Sequence, residues 1–312
     1  MKVLVTGAGG FIGAQLVALL RATGRIGEQP VSALALADQR LGDVPPGALP
    51  LEGDLGSERL LQRVRDFAPA VVFHLAAVPG GAAEADYALG RRVNLDATLA
   101  LFEALADDGK PPVVVYASTI AVYGSSLPEV VGPETPPRPP LTYGAHKLAC
   151  EILLADFARR GLLDGRSVRL PGIVARPRAP SGLASAFMSD ILHALAAGEP
   201  FTCPVSPQAT AWWMSAQCCA ENLLHAAVMD VSQADPARAW PLPVLWLSMA
   251  QVIETCAALY GEDRRQLVQF APQAGLENVF GRYPRLDDAP SRALGLHDDG
   301  SAEVLVRRAL SA

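Results

Sequence analysis

The chain has 312 residues, half of them apolar, enough to bury a large core and to exclude a disordered polymer. Its 26 Lys and Arg against 32 Asp and Glu leave a net charge of -6, and no basic cluster stands out. Counterion release on nucleic acid needs such a cluster, so a small-molecule partner is expected and a nucleic-acid surface is not. Five cysteines, Cys150, Cys203, Cys218, Cys219 and Cys256, make no CxxC pair, and no histidine stands at metal-ligand spacing. Neither a disulfide framework nor a metal site is expected, and the chain reads as cytoplasmic. The opening MKVLVTGAGGFIGAQLVALL is apolar but interrupted by glycines and Gln15, and no later stretch has eighteen uninterrupted apolar residues. Signal peptide and membrane span are both unexpected.

Short apolar runs alternate with helical patterns through the first half. Strands are predicted at 2–6, 31–37, 70–74, 113–117 and 167–170, and helices at 11–21, 57–67, 84–106 and 144–160. That alternation specifies a Rossmann-type, doubly wound parallel sheet covered by helices on both faces, a cofactor domain over about 1–170. From Pro171 the pattern loosens into Pro-rich segments (VARPRAPSG, FTCPVSPQ, WPLPVLW) between helices predicted at 184–197, 216–229 and 249–260. A smaller α/β substrate lobe over 171–312, interleaved with the first domain, is the expectation. PETPPRPPLT is a loop, because proline joins neither a central ladder nor a helix interior.

The chemistry is concentrated in three places. VLVTGAGGFIGAQL sets Gly7, Gly10 and Gly13 between the first strand and first helix, where Phe11 and Ile12 begin the helix. Glycine lets the backbone approach a pyrophosphate, and the helix N-terminus supplies amide donors and partial positive charge. Asp38, ending the next strand about 25 residues after Gly13, is placed to accept from the ribose hydroxyls of NAD and to repel a 2'-phosphate. Arg40 keeps NADP open. Asp54 and Leu55 follow the next strand and are placed to edge the adenine, although a plain turn explains the aspartate equally well.

Tyr143 and Lys147 lie at i, i+4 in LTYGAHKLACEILLADF, on one helix face. An ammonium at about 4 Å is worth about 4 kcal/mol at an effective dielectric near 20, or about three pKa units. The pair can therefore take a proton from an alcohol near neutral pH. Ser118 and Thr119 stand at the end of a buried strand, where ligands bind on a parallel sheet, and either hydroxyl can hold a substrate oxygen against Tyr143. A strand-end hydroxyl satisfying its own backbone is the competing explanation.

In this order the residues resemble the extended short-chain dehydrogenase/reductase superfamily. TGAGGFIG, HLAA at 74–77, Asn94 in VNLDAT, ASTIAVYG and TYGAHK carry the likeness across the first 180 residues. The resemblance implies Tyr143 as proton acceptor and Lys147 as its activator and holder of the nicotinamide ribose. It gives Thr119 as the catalytic hydroxyl with Ser118 beside the nicotinamide, and Ala76 and Asn94 in the cofactor cleft. Pro171 and Ile173, in the loop 171–174, would cover the nicotinamide. HLAAVPGGAAEADYALGRRVNLDAT, LPGIVARP, FTCPV and CCAENLLHA further resemble a branch that oxidises four-carbon sugar acids at C2 with NAD. A hydroxy-acid substrate wants a cation for its carboxylate, and Arg176 and Arg178 are the candidates, with surface solvation as the blander role. L-threonine 3-dehydrogenase-like and nucleotide-sugar epimerase or dehydratase activities stay open. TAWWMSAQCC lacks the basic residues a diphosphate needs. Tyr123 has Leu127 at i+4 instead of a lysine and is expected to line the substrate pocket. The resemblance implies a homodimer through the two long helices, which carry Tyr87 and Arg91.

Overall fold

The computed structural model describes residues 1–106, 109–178 and 184–311. Seven strands form one sheet: β1 (Lys2–Thr6), β2 (Ala33–Asp38), β3 (Leu49–Glu52), β4 (Val71–His74), β5 (Val113–Thr119), β6 (Asp164–Leu170) and β7 (Ala239–Pro241). Their order is β7-β6-β5-β4-β1-β2-β3 and every pairing is parallel. The order reverses at β1, so the crevice at its carboxyl end, flanked by β2 and β4, is where a ligand of this fold class binds. The doubly wound sheet expected from the alternating pattern is present. The two edge strands, β3 and β7, each carry a proline, Pro50 and Pro241, which only an edge tolerates because proline cannot donate to a ladder.

The helices covering the sheet include α1 (Phe11–Thr23), α2 (Glu58–Phe67), α3 (Ala97–Ala106) and α4 (Thr142–Arg159). Between β4 and α3 the sequence pattern predicts one helix over 84–106, but the chain makes short helices at Gly80–Ala85 and Tyr87–Arg91 and a π-helical turn at Arg92–Asp96. Asp86 interrupts the first pair: it ends one helix at φ -132° and caps the next by accepting from the Leu89 amide. Apolar periodicity does not register such a break, because both pieces keep their buried side.

The chain divides into two compact units. The first comprises 1–122, 137–170 and 220–241 and contains the whole seven-stranded sheet. One of its cores packs Leu4, Ala35, Val72 and Val114 of the strands against Leu61 and Val64 of α2, Leu101 and Phe102 of α3, and Leu154 of α4. The second comprises 123–136, 171–219 and 242–312. In it the strand Gly172–Val174 runs parallel to Thr210–Ser215, which pairs antiparallel with Leu245–Ser248. Its core draws on Trp213, Ile191, Leu195, Ile253 and Leu305. Among the described residues no helix is long and apolar enough to cross a membrane.

Candidate active site

At the carboxyl end of β1, Gly7 turns with φ +70°, and a Cβ there would meet the Ala76 amide nitrogen at 2.7 Å. The turn therefore lies flat against the chain leaving β4, and only glycine fits. The first helical bond of α1 runs from the Ala14 amide to the Gly10 carbonyl at 2.8 Å, and no side chain caps the helix. Phe11, Ile12 and Gly13 thus form the first turn of a helix without a side-chain cap, the kind of helix start that suits an anion. Asp38 closes the other side. Its Oδ2 accepts from the Gly9 amide at 2.9 Å and its Oδ1 from Gln39 at 2.7 Å, so the carboxylate is fixed beside the glycine turn. Arg40 is exposed. Asp54 accepts from the Gly56 amide within the turn leading to α2, and Leu55 packs on the core, so both have local structural work.

Under this crevice lies a line of buried polar groups. His74 is hydrogen-bonded to Thr6 Oγ at 2.6 Å through Nδ1 and to Thr98 Oγ at 2.9 Å through Nε2. Burial, reinforced by the charge of Lys147, pulls its pKa down to about 3, so the ring is neutral and acts as a cross-brace. Asn94, also buried, accepts from the Val78 amide at 2.7 Å and donates to the Val78 carbonyl at 3.0 Å. Its amide holds the segment after β4 in place. Both ends of the amide are engaged by one peptide unit.

The second half of the site is carried by β5 and α4. Gly144 permits the approach: a Cβ there would meet the Ala121 carbonyl at 2.7 Å, so only glycine lets the start of α4 press on the turn after β5. The Thr142 amide donates to Glu84 Oε2 at 3.0 Å, fixing the helix start. Tyr143 and Lys147 follow on one face. Lys147 is 2 % exposed, its Nζ donates to the Ala117 carbonyl at 2.8 Å, and it lies 4.6 Å from the centre of the Tyr116 ring and 5.9 Å from that of Tyr143. Burial brings its pKa down to about 8, against the opposing pull of Cys150 and Glu151. At neutral pH it remains mostly the ammonium.

The neighbouring hydroxyls divide. Thr119 Oγ accepts from the Ala121 amide at 3.1 Å, and among the described residues nothing accepts its own proton. The Ser118 hydroxyl donates to Glu151, a buried carboxylate that Arg169 grips from β6 at 3.0 and 2.7 Å. Glu151 and Arg169 are residues the sequence reading missed. One signal was present: Tyr143, Lys147 and Glu151 recur at four-residue intervals, and a helix face that buries Lys147 buries Glu151 with it.

The remaining predicted residues belong to the second unit. Pro171 is buried and Ile173 pairs with Met214. Arg176 is pinned through its backbone, its amide donating to Ser189 Oγ at 3.0 Å and its carbonyl bonded to His193 Nε2 at 2.8 Å. Arg178 is taken by Glu199 at 2.6 Å on the surface, the blander of its two roles. Tyr123 is 4 % exposed, edge-on to the buried Trp212, which packs against Tyr283. All five cysteines are buried free thiols.

Residues 3–227 match the model of the NAD dependent epimerase/dehydratase family. The chain belongs to this family. It is similar, 37 % identical over 98 % of its length and 97 % of the relative's, to the D-erythronate dehydrogenase of Cupriavidus necator. The D-erythronate dehydrogenase of Haemophilus influenzae is 29 % identical, covering 99 % and 98 %. Among solved structures, a nucleoside-diphosphate-sugar epimerase from Agrobacterium tumefaciens superposes with a TM-score of 0.92 at 32 % identity, over 98 % of this chain and 92 % of that one. The L-threonine dehydrogenase of Cupriavidus necator superposes at 0.85 and 22 % identity over 100 % and 99 %, a likeness of fold. Within the family, the glycine turn and Asp38 form a cradle that fits a dinucleotide.

Proposed function

We propose that this chain is an NAD-dependent dehydrogenase of a four-carbon sugar acid, converting D-erythronate to 2-dehydro-D-erythronate. The observation that carries the reading is the buried Lys147 ammonium on the same helix face as Tyr143, at the end of the strand that presents Thr119. The full-length likeness to D-erythronate dehydrogenases supports the choice of acid.

Gly7, Gly10, Phe11, Ile12 and Gly13 would hold the pyrophosphate, and Asp38 the adenosine ribose. Asp54 and Leu55 would edge the adenine, Ala76 and Asn94 would line the cofactor cleft, and Lys147, Pro171 and Ile173 would serve the nicotinamide. NAD, when bound, supplies the hydride acceptor. Thr119 donates a hydrogen bond to the substrate oxygen and orients it. Tyr143, held as the phenolate by the Lys147 ammonium, accepts the substrate hydroxyl proton and becomes the phenol. Ser118 acts one step back, because its proton is held by Glu151. Arg176 is the proposed partner of the substrate carboxylate. The exposed apolar side chains of Tyr87 and Ile152 support a homodimer through their helices, and the proposed location is the cytoplasm.

The likeness to a nucleoside-diphosphate-sugar epimerase favours a second reading, nucleotide-sugar epimerisation, with an L-threonine 3-dehydrogenase-like activity as a third. The strand Thr210–Ser215, TAWWMS, offers no cation to a diphosphate. One panel separates the three: purified protein with NAD and, in turn, D-erythronate, its C2 epimer, L-threonine and UDP-glucose. Formation of NADH with a four-carbon aldonate is expected. Turnover of UDP-glucose or L-threonine with none of the acids would replace the proposal.

A further inference from the structure

Ser118 and Arg169 are direct cross-strand partners in the β5–β6 register, so both side chains leave the sheet on one face. α4 covers that face and sets Glu151 between them. The Ser118 hydroxyl donates to Glu151 Oε1, Arg169 Nε donates to the same oxygen at 3.0 Å, and Arg169 Nη2 donates to Oε2 at 2.7 Å. The Glu151 side chain is 3 % exposed and that of Arg169 12 %. One helical turn before Glu151, on the same face, stands Lys147.

We propose that Glu151 is a positioning residue for this active site: clamped by Arg169, it fixes the strand end through Ser118 and is the counter-charge that keeps Lys147 an ammonium. The proposal rests on the dehydrogenase reading for its consequence in turnover, and on the chain's own residues for everything else.

Among the described residues, Tyr116 of β5, His74 of β4, and Tyr143, Cys150 and Glu151 of α4 face Lys147; Ser118 and Tyr116 of β5, Arg169 of β6, and Lys147 and Cys150 of α4 face Glu151. Burial pushes the Tyr116 phenol and the Cys150 thiol up and holds His74 down, so all three are neutral at pH 7. Glu151 is the anion left to oppose the desolvation of Lys147, and Arg169 offsets part of its field. The two clamp residues must therefore act on Lys147 with opposite signs: without the carboxylate the lysine gives up its proton at lower pH, and without the guanidinium it keeps it to higher pH.

The chain contains three lysines, Lys2, Lys110 and Lys147, so side-chain NMR of protein labelled at the lysine ε-carbon follows Lys147 directly, with Lys147→Arg assigning its signal. In the unsubstituted protein its titration should centre near 8. Glu151→Gln keeps the shape and an acceptor for Ser118, and should lower the midpoint by about one unit. Arg169→Gln should raise it. A purely structural role predicts lower melting temperatures for both variants with Lys147 unmoved, and that result, or shifts of one sign in both, would overturn the proposal. If Arg169→Gln fails to fold, the direction in Glu151→Gln decides. The same variants are then assayed for NADH formation against pH: the alkaline limb of kcat should follow the Lys147 midpoint while the Kd for NAD stays within about threefold. Lysine shifts as expected without turnover of any acid would fault the dehydrogenase reading and leave the clamp standing.

Discussion

The two ends of the candidate site are built from different materials. Around Gly7 and Asp38 the chain offers backbone amides, a close-packed turn and one exposed-side carboxylate, with every partner contributed by β1, α1, β2 or the chain just after β4. At β5 and α4 the working groups are ionised or polar side chains in an apolar interior, Lys147, Glu151 and Arg169, joined across three elements. Shape governs the first end and charge the second. The nucleotide end should therefore tolerate pH and small electrostatic changes, and the catalytic end should respond strongly to single atoms.

Tyr143→Phe is the strongest challenge to that division. Removing one oxygen should lower turnover about a thousandfold, within the usual span of general acid-base catalysis, and leave the Kd for NAD nearly unchanged by calorimetry. A matching loss of NAD affinity would mean that the two ends are not separable. Thr119→Val, which keeps the shape and deletes the donor, should lower kcat about a hundredfold, and Ser118→Ala clearly less, because the serine proton is already held by Glu151. Equal losses in steady-state assays would show that both hydroxyls reach substrate. At the other end, Asp38→Ala should cut the preference for NAD over NADP about tenfold with kcat kept, since a carboxylate beside the glycine turn is placed to repel a 2'-phosphate. Unchanged discrimination would move cofactor choice elsewhere in the turn.

A stability measurement sharpens the contrast from below. His74 stays neutral in the folded chain down to about pH 3, whereas in the unfolded chain it binds a proton below about 6.5. The unfolded state therefore holds more protons in that window, and stability falls as pH drops through it, by about 3 kcal/mol at pH 4.5. Urea midpoints at pH 7 and 4.5 should show this drop, and His74→Asn should reduce it. An unaltered pH dependence in the variant would place the acid lability in other groups.

The shape-built end was the legible one. Its signals are local, a glycine spacing, a strand-end aspartate and apolar runs, and β1 spans the residues 2–6 that the sequence predicts. The break at Asp86 and the π-turn holding Asn94 escaped, because both preserve the apolar face while changing which backbone groups are paired. β7 escaped because WPLPVLW reads as a proline-rich loop, and its place at a sheet edge is a property of the fold. Glu151 and Arg169 escaped for a related reason. A glutamate on a helix and an arginine in SVRL are ordinary surface residues until the sheet register sets Ser118 opposite Arg169, 51 positions later. Tyr143 and Lys147 were visible because their relation is contained in one helical turn.

The central claim is that Tyr143 and Lys147 serve the oxidation of a hydroxy acid at the carbon bearing the hydroxyl. D-erythronate carrying deuterium at C2, incubated with NAD and the protein, tests it most directly by mass spectrometry of the recovered nicotinamide. The account predicts deuterium in NADH, slower formation than from the unlabelled acid, and loss of nearly all transfer in Tyr143→Phe. Deuterium retained at C2 while NADH forms, or full transfer by the phenylalanine variant, would contradict it.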